Sequence, residues 1–128
     1  MAVENISEGQ IRQIFENAPV GILTLNSDLV VESVNQSFLQ FGLFEFSEKS
    51  NLLGKKILDL KIFQSDEIKS YFELFQEGIP FETEISTKGT FSSTEIIIVV
   101  KGTPIIVENK FEGGIIIIED FRTSIETS

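Results

Sequence analysis

GGIIIIEDFRT, Gly113 to Thr123, sets four isoleucines between a glycine pair and a charged exit. Successive side chains of a strand point to opposite faces, so a sheet with one wet face alternates apolar and polar residues. Ile115 to Ile118 do not alternate. This strand needs apolar cover on both sides. Because both parities are apolar, the spacing leaves open which of them faces the core.

The segments upstream supply the rest of a sheet and one layer of helices. Ser93 to Val100 reads as a strand with the continuous run Ile96 to Val100. Lys101-Gly102 and Thr103-Pro104 suggest a bend or bulge before Ile105 to Val107. Glu108 to Glu112 reads as a loop, and Gly113 to Asp120 as the last strand. Phe81 to Thr87, opened by Pro80, alternates cleanly. Phe81, Thr83, Ile85 and Thr87 point one way, and Glu82, Glu84 and Ser86 the other. Before it, Ser65 opens a helix with Asp66 and Glu67 in the first turn, where the helix dipole favours acids. Ile68, Phe72 and Phe75 recur at helical spacing, and Gly78 ends the helix.

Leu43 to Leu60 mixes Phe44, Phe46, Leu52, Leu53, Ile57, Leu58 and Leu60 with polar residues, which predicts short helical turns broken at Gly54. Val20 to Leu25 and Leu29 to Val34 read as two strands joined by a tight turn at Asn26 to Asp28. Asn35 caps a short helix, Gln36 to Phe41, closed by Gly42. At the front, Ser7 and Gln10 form a capping box. Ile11, Ile14 and Phe15 then make one helical stripe, and Pro19 stops the helix. The order is helix, two strands, short helices, three strands. It predicts an α+β fold, with helices packed on one face of a five-stranded antiparallel sheet.

Composition removes several function classes. The 128 residues fit one domain with one core. A net charge of −10 repels polyanions, so nucleic acid is not an expected partner, and membrane insertion is not expected either. Cysteine and histidine are both absent. That excludes a thiolate nucleophile, an imidazole base, a histidine-ligated haem and a cysteinyl-flavin link, and no metal site is expected. No signal peptide or membrane span is visible, and the expectation is a soluble, cytoplasmic domain. Carboxylate pairs exist at Glu82/Glu84 and Glu119/Asp120, but the first lies on the alternating strand's polar side. An enzyme is not expected, since acid–base work needs a held group of shifted pKa.

The stretch FENAPVGILTLNSDLVVESVNQSFLQFGLF resembles the opening of a PAS domain, with Pro19, Asn35, Phe38, Gly42 and Leu43 at the marker positions. Leu53 to Leu60, LGKKILDL, is similar to that family's L-G-x-x-x-x-x-L step. TPIIVENKFEGGIIIIEDFRT is similar to its closing hairpin, with Asp120 where the family's D-I-T motif begins. Two positions depart from the pattern: Leu43 stands for an aromatic residue, and Thr123 is displaced by one place. The resemblance covers about Ile11 to Thr123.

It implies a flanking helix at 1–18, a PAS core at 19–123 and the start of a C-terminal linker at 124–128. It also implies a sensory module passing the state of a ligand or partner to an output domain of a longer parent, such as a sensor kinase of a two-component system. The implied ligand pocket lies between sheet and helices, lined by Asn35, Phe38, Phe41, Leu53, Leu58, Ile68, Phe72, Phe75, Ile98 and either Ile116 or Ile117. Asn35, Thr24, Ser33 and Tyr71 are its few polar candidates. Such a lining suits a small apolar ligand such as a fatty acid.

The outer sheet face needs a second cover. Ile11, Ile14 and Phe15, with Ile97, Ile115 and Ile117, are the candidates for a homodimer interface. Asp120, Arg122 and Thr123 are the candidates for the signal exit. The alternative is a structural homodimerisation module with a filled core and no ligand.

Overall fold

The computed structural model describes residues 7–40, 52–88 and 95–120. The first helix, α1 (Glu8–Asn17), starts at the expected capping box: Ser7 Oγ accepts from Gln10 N at 3.1 Å, and Ser7 N donates to Gln10 Oε1 at 2.9 Å. Ser7→Ala is expected to fray this first turn at a cost of about 1 kcal/mol of helix stability. Faster amide exchange at Gln10, with the strands unchanged, checks it.

Strands β1 (Gly21–Leu25) and β2 (Val31–Val34) follow. The turn between them is longer than the sequence suggests. Asn26 Oδ1 accepts from both Asp28 N and Val30 N, and Leu29 takes a left-handed φ of 62°. Leu29 therefore leaves the strand, yet its side chain stays buried. Helix α2 (Gln36–Gln40) comes next. Beyond residues 41–51, two short 3₁₀ turns, Ile57–Asp59 and Lys61–Phe63, lead to α3 (Asp66–Gln76). Ser65 caps α3 by accepting from Ile68 N at 3.2 Å.

Strands β3 (Phe81–Lys88), β4 (Glu95–Val107) and β5 (Lys110–Asp120) complete the sheet, in the order β2–β1–β5–β4–β3. All pairings are antiparallel. The free edge of β2 is covered by the chain around Gly54 to Ile57: Val31 N donates to Lys55 O, and Gly54 N to Val31 O. This protects an edge from pairing with another chain.

The last hairpin differs from the sequence expectation. β4 runs unbroken through Lys101 to Pro104, and no five-residue loop follows. Glu108 and Asn109 alone form the turn, both left-handed, with φ of 51° and 66°. Two left-handed residues match the twist of the paired strands. The expected irregularity before Ile105 is present as a bulge between Pro104 and Ile106, where Glu112 and Gly113 of β5 stand opposite Ile105 alone. Gly113 takes a φ of 116° in this bulge.

The parity left open by the four isoleucines is settled by burial. Ile116 and Ile118 are fully buried among the core residues, while Ile115 and Ile117 lie on the other face and are half-buried. Among the described residues no helix is long and apolar enough to cross a membrane.

Candidate functional site

The interior between the sheet and the helices is built from aromatic rings. Phe72 meets Phe63, Phe75 and Phe81 edge-to-face at 6.3, 5.5 and 5.3 Å between centroids. Tyr71 stacks on Phe81 at 5.3 Å, and Phe75 meets Phe81 at 5.9 Å and Phe111 at 5.5 Å. Such ring pairs add to plain area burial.

Two strand glycines make the close packing possible. A Cβ at Gly102 would run into the Phe81 ring, and one at Gly114 into the Phe75 ring and Thr103 O. The sequence suggests a bend or bulge at Lys101 to Pro104 and the start of the last strand at Gly113-Gly114. Instead, Gly102 and Gly114 are flat seats on the sheet where rings lie down.

Of the expected lining residues, Phe38, Ile68, Phe72, Phe75, Ile98 and Ile116 are buried in this interior, and Leu58 packs partly buried against it. Ile117 points to the opposite face. Leu53 is a correction: it is 40% exposed, and its neighbour Leu52 is fully buried instead. Both leucines belong to the turn at 52–54, in which Gly54 takes a φ of 85°. Phe41 lies outside the described residues. Leu52, Ile57, Phe63 and Phe81 join the interior although the pocket reading passed over them. Phe81 lies on the apolar side of an alternating strand, whereas no periodicity assigns Leu52, Ile57 or Phe63 to a face.

The polar candidates are placed differently from the expectation. Thr24 and Ser33 are on the outer face, opposite the interior, and hydrogen-bond to each other. Tyr71 is half-buried against the Phe81 ring. Asn35 is fully buried, but its amide is completely used by the backbone. Its Oδ1 accepts from Ile22 N at 2.8 Å and from Phe38 N at 3.0 Å. Its Nδ2 donates to Phe15 O and Val20 O, both at 2.9 Å. The expected cap of α2 is therefore present, and the same side chain ties the end of α1 to β1. Ser37 adds a bond from its Oγ to Ala18 O at 2.6 Å. An Asn so engaged has no free group to turn toward a ligand. Among the described residues no buried side-chain polar atom lacks a partner.

The outer sheet face carries Ile22, Ile97, Val99, Ile115 and Ile117 together with Lys101 and Glu119, whose 3.4 Å ion pair is half-exposed and worth little. Glu82 and Glu84 are exposed at its margin. Helix α1 stands over the β1–β2 end of this face but does not close onto it. A groove of about 540 Å³ remains between Ile11, Arg12 and Phe15 on the helix and Thr24 and Ser33 on the sheet. No residue of α1 is buried, and Ile11 and Ile14 are 55% and 63% exposed. Asp120 ends β5, paired through its backbone with Ile98. Arg122 and Thr123 lie outside the described residues.

One antiparallel sheet of five strands, with helices on one face and an amphipathic helix leading in, defines the class of small α+β domains to which this chain belongs. The fold is that of PAS domains: the PAS domain family model matches residues 9–41, and solved PAS domains share this architecture. The PAS domain of an HTR-like protein from Haloarcula marismortui is 19% identical, with 88% of this chain and 90% of that one covered and a TM-score of 0.67. A PAS domain from Colwellia psychrerythraea is 17% identical, with coverage of 90% and 97% and a TM-score of 0.71. A third, from a LuxR-family transcriptional regulator of Burkholderia thailandensis and solved in complex with ethanol, is 17% identical, with coverage of 86% and 96% and a TM-score of 0.62. No curated protein sequence matches the chain.

Proposed function

We propose that this PAS domain is a sensory, regulatory module in signal transduction, non-enzymatic itself, that relays the state of a ligand or partner through a homodimer to an output domain of its parent chain. The observation that carries this reading is the Asn35 junction. One buried side chain holds the end of α1, the start of β1 and the cap of α2 together. A shift of the sheet or of α2 is thereby transmitted to α1, whose apolar stripe is free to pack on a second copy. A ligand would sit among Phe38, Ile68, Ile98 and Ile116. With no spare polar handle there, it would be small and apolar, a fatty acid being one such class. The ethanol complex of the Burkholderia PAS domain is in keeping with a small guest.

The second reading is a structural homodimerisation module with a filled core, and the interlocked rings around Phe72 favour it. Native mass spectrometry followed by solvent extraction separates the two: a stoichiometric small molecule supports the sensor, and an apo dimer the structural module. Both readings expect a dimer that Ile11→Glu with Ile14→Glu converts to monomer in sedimentation velocity, without loss of the folded circular-dichroism spectrum. Two exposed carboxylates on the stripe cannot be buried against a partner without a large desolvation penalty. A wild-type monomer at high micromolar concentration would rule out the dimer in both.

A further inference from the structure

A second apolar surface lies far from α1, where the end of α3 meets the β4–β5 hairpin. Helix α3 ends in a Schellman turn: Gly78 N donates to Phe75 O and Ile79 N to Leu74 O, both at 3.0 Å. This motif brings the side chains of Leu74 and Ile79 together. Ile106 lies against the same turn, 3.4 Å from where a Cβ on Gly78 would be. Ile106 is also the cross-strand partner of Phe111, whose ring meets Phe75, so it points to the helix side of the sheet. Leu74, Ile79 and Ile106 nevertheless remain 41%, 46% and 44% exposed.

Charge sets the character of this patch. Glu73 and Glu77 sit in and just after the last turn of α3, with no basic residue in that turn. A helix C-terminus carries partial negative charge and favours cations, so acids there are locally unfavourable. Glu108, in the hairpin turn, adds a third exposed carboxylate. Three partly exposed side chains fall well short of the roughly 800 Å² per partner of a stable standard interface. Two such acidic rims would also repel each other, as they would an anionic lipid surface. A second copy and a membrane are thus both disfavoured.

We propose that Leu74, Ile79 and Ile106, rimmed by Glu73, Glu77 and Glu108, form a docking site for a basic amphipathic helix of a partner protein. Apolar side chains of that helix cover the patch, and its Lys or Arg residues meet the three carboxylates and the α3 C-terminus.

The test is a titration of the full 128-residue chain with an amphipathic Leu/Lys peptide of about 18 residues, followed by amide chemical shifts. Shifts are expected at Leu74, Ile79 and Ile106, with affinity falling several-fold between about 50 and 200 mM salt. Ile79→Ser with Ile106→Ser should weaken binding at least about tenfold. Glu77→Lys with Glu108→Lys, which touches no buried group, should reverse the preference toward a Leu/Glu peptide of the same length. The proposal is overturned by no binding at millimolar peptide, by equal binding of both peptides, by shifts confined to α1 or the outer sheet face, or by sedimentation of the chain with phosphatidylserine vesicles.

Discussion

Asn35→Ala is expected to lower the unfolding free energy by about 3–4 kcal/mol, a large part of the roughly 5–15 kcal/mol typical of a domain. The substitution deletes two accepted and two donated hydrogen bonds at a fully buried position. It strands Ile22 N and Phe38 N without acceptors, and Phe15 O and Val20 O without a donor. Each group left unsatisfied costs more than the net value of its bond, because its desolvation is no longer compensated. In urea the midpoint should fall by about 1 M or more at an unchanged slope.

Asn35→Asp divides the effect. A carboxylate can still accept from Ile22 N and Phe38 N, but it faces the carbonyl oxygens of Phe15 and Val20 with nothing to donate. Its burial adds a charge penalty, so it should be no more stable than the alanine variant at neutral pH. In both variants amide exchange should accelerate across the α1–β1 junction. A loss under about 1 kcal/mol would mean that water replaces the amide and that α1 is not held by it.

Gly113→Ala is expected to cost about 3 kcal/mol or more, lowering the melting temperature by roughly 10 °C. Two penalties coincide there. Gly113 has a φ of 116°, a region that L side chains rarely adopt. A Cβ on it would also overlap Leu25 O and crowd Asn26, both backbone. Neither neighbour can swing away as a side chain could, so β5 would have to separate from the end of β1. Gly54→Ala is the control. Its φ of 85° is also positive, but a Cβ there meets nothing within 4 Å, so only the conformational penalty of about 1–2 kcal/mol remains. Equal losses in the two variants would show that the contact with Leu25 O relaxes freely, and that the bulge is not fixed by that approach.

Much of the architecture was legible because it rests on short-range rules. The Ser7–Gln10 box, the Ser65 cap, the stop at Gly78 and the alternation of β3 follow from backbone groups within a few residues of one another. The order of these elements was enough to place five strands in one sheet. Asn35 was readable as a helix cap for the same reason, since Phe38 is three residues away. Its bonds to Phe15 and Val20 were not, because they join segments 20 and 15 residues distant.

The aromatic core shows the same division. With 12 phenylalanines, one tyrosine and no tryptophan, the composition makes Phe the main aromatic source of interior volume. Only the packed sheet shows that Gly102 and Gly114 are seats for rings and not breaks in the chain, because a bend and a close approach both call for glycine. In the hairpin, Asn109 tolerates a left-handed φ, but Glu108 at φ 51° carries no such signal, so the two-residue turn was concealed.

By itself the sequence determined a PAS-like α+β fold, the amphipathic helix in front of it, and the need for apolar cover on both sides of Ile115 to Ile118. The tertiary structure decided that Ile116 and Ile118 face the core, that Thr24 and Ser33 face away from it, and that α1 leaves its own outer face open. The physical reason lies in the strand itself. When both parities are apolar, hydrophobic pattern carries no information about direction, and only the register with Leu23 of β1 and with Val100 and Gly102 of β4 selects the inward side.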